Sequence, residues 1–227
     1  RDTQILVSAV EGRDDRDPTS SSAEPSAAAP SLRSHELVVG IDPQFADPLA
    51  PDIERGYRAL VSTLESLGAA VVEVSFPDPE IAARSWTLID SFEIAKAHGS
   101  WFRAEREAYG AELVSLIETG LRQDPNDVAR AYAFQQSYRA ASAAFYDEVD
   151  IFVCPVHAGP LPTAKEWMAA SGEHLGFTKF TAPFNLAGTP TITIPVGLDD
   201  RGVPMGGQLC AGAFREGLLT QVASAVQ

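Results

Sequence analysis

Apolar runs of strand length alternate with stretches of helical period along the chain. Leu37-Val-Val-Gly-Ile41 is short, continuous and β-branched, which predicts a strand buried on both faces. Ile53, Tyr57, Leu60, Val61, Leu64 and Leu67 then recur at spacings of three and four. With Pro51 and Asp52 in its first turn and Gly68 beyond its end, this pattern predicts an amphipathic helix. Ala69 to Phe76 predicts a second strand closed by Pro77, so the three elements form a βαβ unit with a right-handed crossover.

Residues 80–148 are predicted to be mostly helical. Leu113, Leu116 and Ile117 form one apolar stripe, Gly99, Gly110 and Gly120 punctuate the region, and Asp124-Pro125-Asn126 opens a helix running to about Tyr146. Ile151 to Cys154 predicts a third buried strand, stopped by Pro155. Thr191 to Val196 and Gly206 to Ala211 predict two more, joined as a hairpin by the turn chemistry of Gly197 to Pro204. Arg215 to Val226 predicts a closing helix with Leu218, Leu219, Val222 and Val226 on one face, and Arg1 to Val10 a short opening one that Gly12 ends. About five strands with five or six helices and no internal repeat predict an α/β, layered αβα sandwich with a mixed sheet.

Composition narrows the function. The chain has 227 residues, 45% of them hydrophobic, which suffices for a sizeable core. Acidic residues outnumber basic ones by 31 to 17, giving a net charge of −14 spread along the chain, which argues against nucleic acid or anionic membranes as partners. No run approaches the roughly 20 apolar residues of a membrane span. Cys154 and Cys210 each lie in an apolar run, which predicts two buried thiols in a reducing, cytoplasmic compartment. From Arg13 to about His35 the sequence turns to Asp, Ser, Pro and Ala, so residues 13–36 are expected to be a mobile loop. Arg1 stands where an initiator Met would, and Ile5 to Val10 is already helical in pattern. The sequence is therefore expected to begin inside a folded domain.

Near the C-terminus three segments follow in a fixed order: Asn185-Leu-Ala-Gly-Thr-Pro190, Pro195-Val-Gly197, and Gly202-Val-Pro-Met-Gly-Gly-Gln208. They resemble the Asn-x-x-Gly-x-Pro, Pro-x-Gly and Gly-x-Pro-x-Gly-x-Gln segments of the amidase signature family. Val10-Glu-Gly-Arg-Asp-Asp-Arg-Asp-Pro-Thr19, Ser66-Leu-Gly-Ala69 with Val71 to Val74, and Asp150-Ile-Phe-Val-Cys-Pro155 resemble further passages of that family in the same order. The resemblance implies that residues 1–227 are the C-terminal part of a single amidase domain. It also implies a carboxylic amide as substrate, attacked by a serine with help from a second serine, held by a cis peptide bond, and a lysine base. Those three residues belong to the family's N-terminal half, so the resemblance implies no catalytic residue in this chain and makes that half its partner. The chain alone is then expected to be inactive. Ser100 to Gly110 resembles general amidases more than the subunit that amidates glutamyl-tRNA.

Nothing in the residues replaces the absent triad. Lys96, Lys165 and Lys179 adjoin no Gly-Gly-Ser stretch, and Ser20-Ser-Ser22 sits in the polar segment without glycine. His35, His98, His157 and His174 lack the spacing of zinc ligands, and no cofactor motif is present. His157 stands apart because it follows the strand end Cys154-Pro155, where α/β enzymes build ligand pockets. Phe177, Phe180 and Thr181, in the aromatic segment before Asn185, are either core or, as the resemblance implies, substrate-binding. Cys154 is a poor nucleophile behind apolar Ile151 to Val153. Gly188, Gly197, Gly206 and Gly207 are expected to serve turns or close packing, and Gln208 to bond a neighbouring loop. The rival reading is a non-catalytic α/β protein that binds a ligand or a partner.

Overall fold

The computed structural model describes residues 2–17, 20–21, 37–46, 48–169 and 178–227. The chain forms two compact units: Arg1–Phe76 with Ala143–Pro160 and Gly188–Gln227, and Pro77–Ser142 with Leu161–Ala187.

The first unit is built on a five-stranded mixed sheet. Its strands are β1 (Val38–Ile41), β2 (Ala70–Glu73), β3 (Ile151–Pro155), β4 (Thr191–Leu198) and β5 (Pro204–Cys210), in the order β2-β1-β3-β5-β4. β1 runs parallel to β2 and β3, and β5 runs antiparallel to β3 and β4. β3 has every residue buried, as a central strand requires. Pro155, expected to stop it, still pairs with Gly207.

Among the described residues this unit also holds the helices α1 (Asp2–Val10), α2 (Pro51–Ser66) and α8 (Glu216–Ala225). Pro51 opens α2, Asp52 and Glu54 favour the positive end of its dipole, and Ile53, Tyr57, Leu60 and Leu64 are buried. Tyr57, Leu60 and Leu64 share one core cluster with Leu218, Leu219 and Val222 of α8 and with Val39, Val153, Ile194 and Leu209 of the sheet. Each large side chain fully buried there contributes about 1.5–3 kcal/mol. Phe45, Phe76, Phe145 and Phe152 form a second cluster, with ring centroids 4.8–5.8 Å apart.

β2 is shorter than the sequence suggests, and Asp42 explains why. The last backbone bond of the β1–β2 ladder region runs from Val74 N–H to Ile41, at 2.9 Å. Beyond it, the Phe76 N–H donates to the Asp42 carboxylate at 2.6 Å instead. That carboxylate, 3% exposed, also accepts from the Gln44 N–H at 2.8 Å and Gln44 Nε2 at 3.1 Å. Asp42→Ala leaves the Phe76 N–H without its acceptor and is expected to cost about 3 kcal/mol. Urea unfolding would show this as a lowered midpoint that Asp42→Asn, which keeps one acceptor oxygen, restores in part.

Between β4 and β5 the chain turns at Asp199 to Val203. Gly202 takes φ +77° there, a conformation costly for other residues. The Asp199 carboxylate accepts the Val203 and Arg201 N–H groups, each at 2.9 Å, and meets the Arg201 guanidinium at 2.8 Å. The Val203 N–H first, then Arg201, hold this carboxyl below the usual range. A lowered folded-state pKa means the support is complete above the ordinary carboxyl value of about 4 and fades as pH falls through the lower folded value. The Val203 amide resonance is expected to stay constant from neutral pH to about 4 and to move only below that.

The second unit contains α3 (Pro79–Ala104), α4 (Ala111–Leu121), most of α5 (Pro125–Phe145), α6 (Ala164–Ala169) and α7 (Ala182–Ala187). Asp78 caps α3 through the Glu80 and Ile81 N–H groups at 2.9 and 3.0 Å, with Pro79 at its first position. Asp124 does the same for the Asn126 N–H of α5 at 2.7 Å. α3 and α4 pack closely around Ala95, Phe102 and Ile117. Gln135 Nε2 and Arg139 Nε of α5 both donate to the Leu186 carbonyl at the end of α7, at 3.4 and 3.3 Å.

Candidate functional site

The signature residues build the surroundings of the end of β3. Cys154 pairs with Gln208 and Pro155 with Gly207 across the β3–β5 ladder. A Cβ on Gly206 would lie 2.9 Å from both Thr193 Cγ2 and Val156 Cγ2, so only glycine lets these three strands' ends close together. Gly207 is equally tight, 2.6 Å from Leu60 and 2.8 Å from Val196 by the same measure. The signature glycines thus seat β4, β5 and α2 against one another and hold the β3 exit in place.

His157 lies at that exit, 6% exposed. The Val156 N–H donates to the Gly206 carbonyl at 3.2 Å, and the Ala158 carbonyl accepts the Ala50 N–H at 2.7 Å. Nδ1 of the imidazole bonds the Gly159 carbonyl. Residues on both sides of His157 are therefore pinned by the backbone of other elements.

Gln208 Nε2 donates to Cys154 Sγ on the neighbouring strand, at 3.4 Å. Gln208 is 3% exposed at a paired ladder position. Cys154 and Cys210 are both buried and unbridged. Burial, and then the Cys154 thiol beside it, push the Cys210 thiol well above its usual range, leaving it protonated and unreactive at neutral pH.

A cavity of about 380 Å³ opens beside the β1 exit, lined in part by Ile41, Asp42, Leu49, Tyr57, Arg58 and Val61. Two of its polar side chains, Asp42 and Tyr57, are committed to structure. Asp42 holds the Gln44 turn and Phe76, and the Tyr57 hydroxyl donates to the Val153 carbonyl at 3.3 Å. Burial, then the nearby Cys154 and Asp42, raise the Tyr57 phenol far above its normal range, so it stays neutral. Sequence reasoning missed Asp42 and Tyr57. The Asp-Pro pair after a strand was the available signal for Asp42, whereas Tyr57 read only as one apolar position of a helix.

In the second unit, Phe180 is 3% exposed and Thr181 half-buried, with its carbonyl accepting the Asn185 N–H at 3.3 Å. Phe177 lies outside the described residues. Lys179 meets Glu80 at 3.9 Å, and in the first unit Ser20 Oγ accepts the Asp14 N–H at 2.9 Å. The Tyr132 hydroxyl donates to Glu93 at 2.7 Å; burial first, then that bond, raise its phenol to about 12. Among the described residues no group of His, Cys, Asp and Glu is arranged to hold a metal ion, and no helix is long and apolar enough to cross a membrane.

The sequence model of the family described as Amidase matches residues 1–220. The chain belongs to the amidase family. It is 30% identical over 257 residues to a glutamyl-tRNA(Gln) amidotransferase subunit of Granulibacter bethesdensis, covering all of this chain and 51% of that protein. It is 27% identical over 215 residues to an amidase of Pseudomonas putida, covering 89% of this chain and 45% of the other. Among solved structures, 6-aminohexanoate cyclic dimer hydrolase matches its fold with a TM-score of 0.81 at 22% identity, covering 99% of this chain and 52% of that one. The chain spans about half the length of the curated relatives it matches.

Proposed function

We propose that this amidase-family chain is the C-terminal portion of an amidase that hydrolyses a carboxylic amide C–N bond, in a cytoplasmic setting. In this reading the serine nucleophile, the cis-serine and the lysine base belong to the rest of the domain. The serine oxygen adds to the carbonyl carbon as its proton passes to the base. The C–N bond then breaks, the amine leaves with a proton, and water converts the acyl-serine to carboxylate and free serine. The observation that carries the proposal is the family match over residues 1–220 together with signature segments that brace the β3 exit. This chain supplies that brace and part of the pocket. His157 is its candidate for substrate contact in the first unit, and Phe180 and Thr181, with Phe177, are its candidates in the second.

A second reading has its own support. Relatives named as glutamyl-tRNA(Gln) amidotransferase subunits match the whole chain at up to 30% identity, so membership of an amidotransferase complex is the alternative. The deciding experiment assays the complete polypeptide encoded around this chain. Hydrolysis of free carboxamides without any other protein supports the amidase. Release of ammonia from glutamine only with partner proteins and charged tRNA supports the alternative. An encoded polypeptide lacking a lysine and a Gly/Ser-rich stretch upstream of Arg1 would reject both in favour of a non-catalytic binding protein.

A further inference from the structure

The Gly159 carbonyl fixes which ring nitrogen of His157 faces the backbone. Nδ1 faces the Gly159 carbonyl oxygen, which can only accept a hydrogen bond. Nδ1 therefore carries the proton, and in the neutral ring Nε2 is left as an acceptor. Among the described residues Nε2 has no hydrogen-bond partner. Nor is it one of the sealed unpaired side-chain atoms, which include Ser142 Oγ and Thr189 Oγ1. The imidazole is 6% exposed and its neighbours Val156 and Ala158 are bonded to Gly206 and Ala50, so this single acceptor edge is held at a constant place.

An acceptor that a bound substrate cuts off from water needs a donor in its place, and a substrate N–H group supplies one. Carboxamides carry such N–H groups and the corresponding esters do not. Resting on the amidase reading above, the geometry points to His157 as a specificity-determining group whose Nε2 accepts an N–H of the substrate carboxamide. It binds and orients the amide nitrogen and takes no proton from it. An ester of the same acid would turn an oxygen lone pair toward the Nε2 lone pair, a mismatch that sites built for N–H donors discriminate against.

The test uses the complete polypeptide containing this chain, labelled with ¹⁵N-histidine, with benzamide and methyl benzoate as probes. Long-range ¹H–¹⁵N correlation is expected to show His157, identified by loss of its signals in His157→Gln, protonated at Nδ1 and bare at Nε2. His157→Leu is expected to raise KM for benzamide about tenfold, the worth of one hydrogen bond at the upper end of the usual range. Its kcat for benzamide should change far less than KM, and KM for methyl benzoate should fall, because the lone pair that repels the ester oxygen is gone. His157→Gln, which returns an acceptor near the Nε2 position, should recover most of the amide KM. A proton on Nε2, or equal losses on amide and ester in the leucine variant, overturns this inference alone. A wild-type polypeptide that hydrolyses neither probe nor any other carboxamide overturns the amidase reading and this inference together. Should the leucine variant fail to fold, the tautomer and the glutamine variant still decide.

Discussion

Gly120→Ala is expected to disrupt the second unit severely. A Cβ at Gly120 would lie 1.9 Å from the Ser91 carbonyl oxygen, 2.6 Å from its carbon and 2.7 Å from Ala95 Cβ. The obstacle is backbone, which cannot rotate out of the way as a side chain can. α4 would have to move off α3 by more than an ångström, loosening the packing of Ala95, Phe102 and Ile117. Overpacking of this severity costs about 3–5 kcal/mol. Alanine's better helix propensity returns only about 1 kcal/mol of that. Urea denaturation of the variant should show a much lower midpoint or loss of the cooperative transition. Gly99→Ala, in α3 with nothing within 4 Å of the new Cβ, is the control and should be neutral or slightly stabilising. Equal midpoints for the two variants would show that α3 and α4 do not pack this closely.

The second large effect concerns activity. The purified 227-residue chain is expected to release no amine from any carboxamide above background, and to associate at micromolar concentration. The same residues within the complete polypeptide should be active and monodisperse. β4 is the reason to expect association: it is an edge strand of eight residues, Thr-Ile-Thr-Ile-Pro-Val-Gly-Leu, without a single charge. Thr191, Thr193 and Pro195 are exposed along it, and Leu198 is 60% exposed. Long uncharged edges are templates for pairing with another chain, and the other edge, β2, is only four residues long and ends in Glu73. Ile5, Leu6 and Val10 of α1 add further exposed apolar surface. Light scattering after size exclusion, together with an amine-release assay, checks both halves of this prediction. A monomer that melts cooperatively and hydrolyses amides by itself would refute the proposal that the catalytic groups belong to another part of the domain.

Much of the architecture was legible in the residues because it is set by local rules. The period of α2, the proline and acidic residues of its first turn, and the β4–β5 hairpin with its Asp-Asp-Arg-Gly turn are all short-range signals. The family was legible for a related reason: the signature glycines answer to fixed close contacts, such as Gly206 against Thr193 and Val156, and leave no room for a larger residue. The candidate site was legible only as a location. His157 could be placed after a strand end, but its hydrogen-bond polarity depends on the Gly159 carbonyl two residues later and on the bonds to Gly206 and Ala50. Nothing local reveals that the ladder partner of Gln208 is Cys154, 54 residues away.

Neighbouring residues alone thus set which segments become strands and helices, the amidase family, and the strand end proposed as a ligand site, because periodicity and turn chemistry are written over short stretches of chain. The strand order β2-β1-β3-β5-β4, the burial of Asp42 beneath Phe76, the pairing of Cys154 with Gln208 and the single acceptor edge of His157 emerged only in three dimensions. Each of these depends on which distant backbone arrives alongside, and long-range pairing is settled by the packing of the whole core rather than by any local pattern.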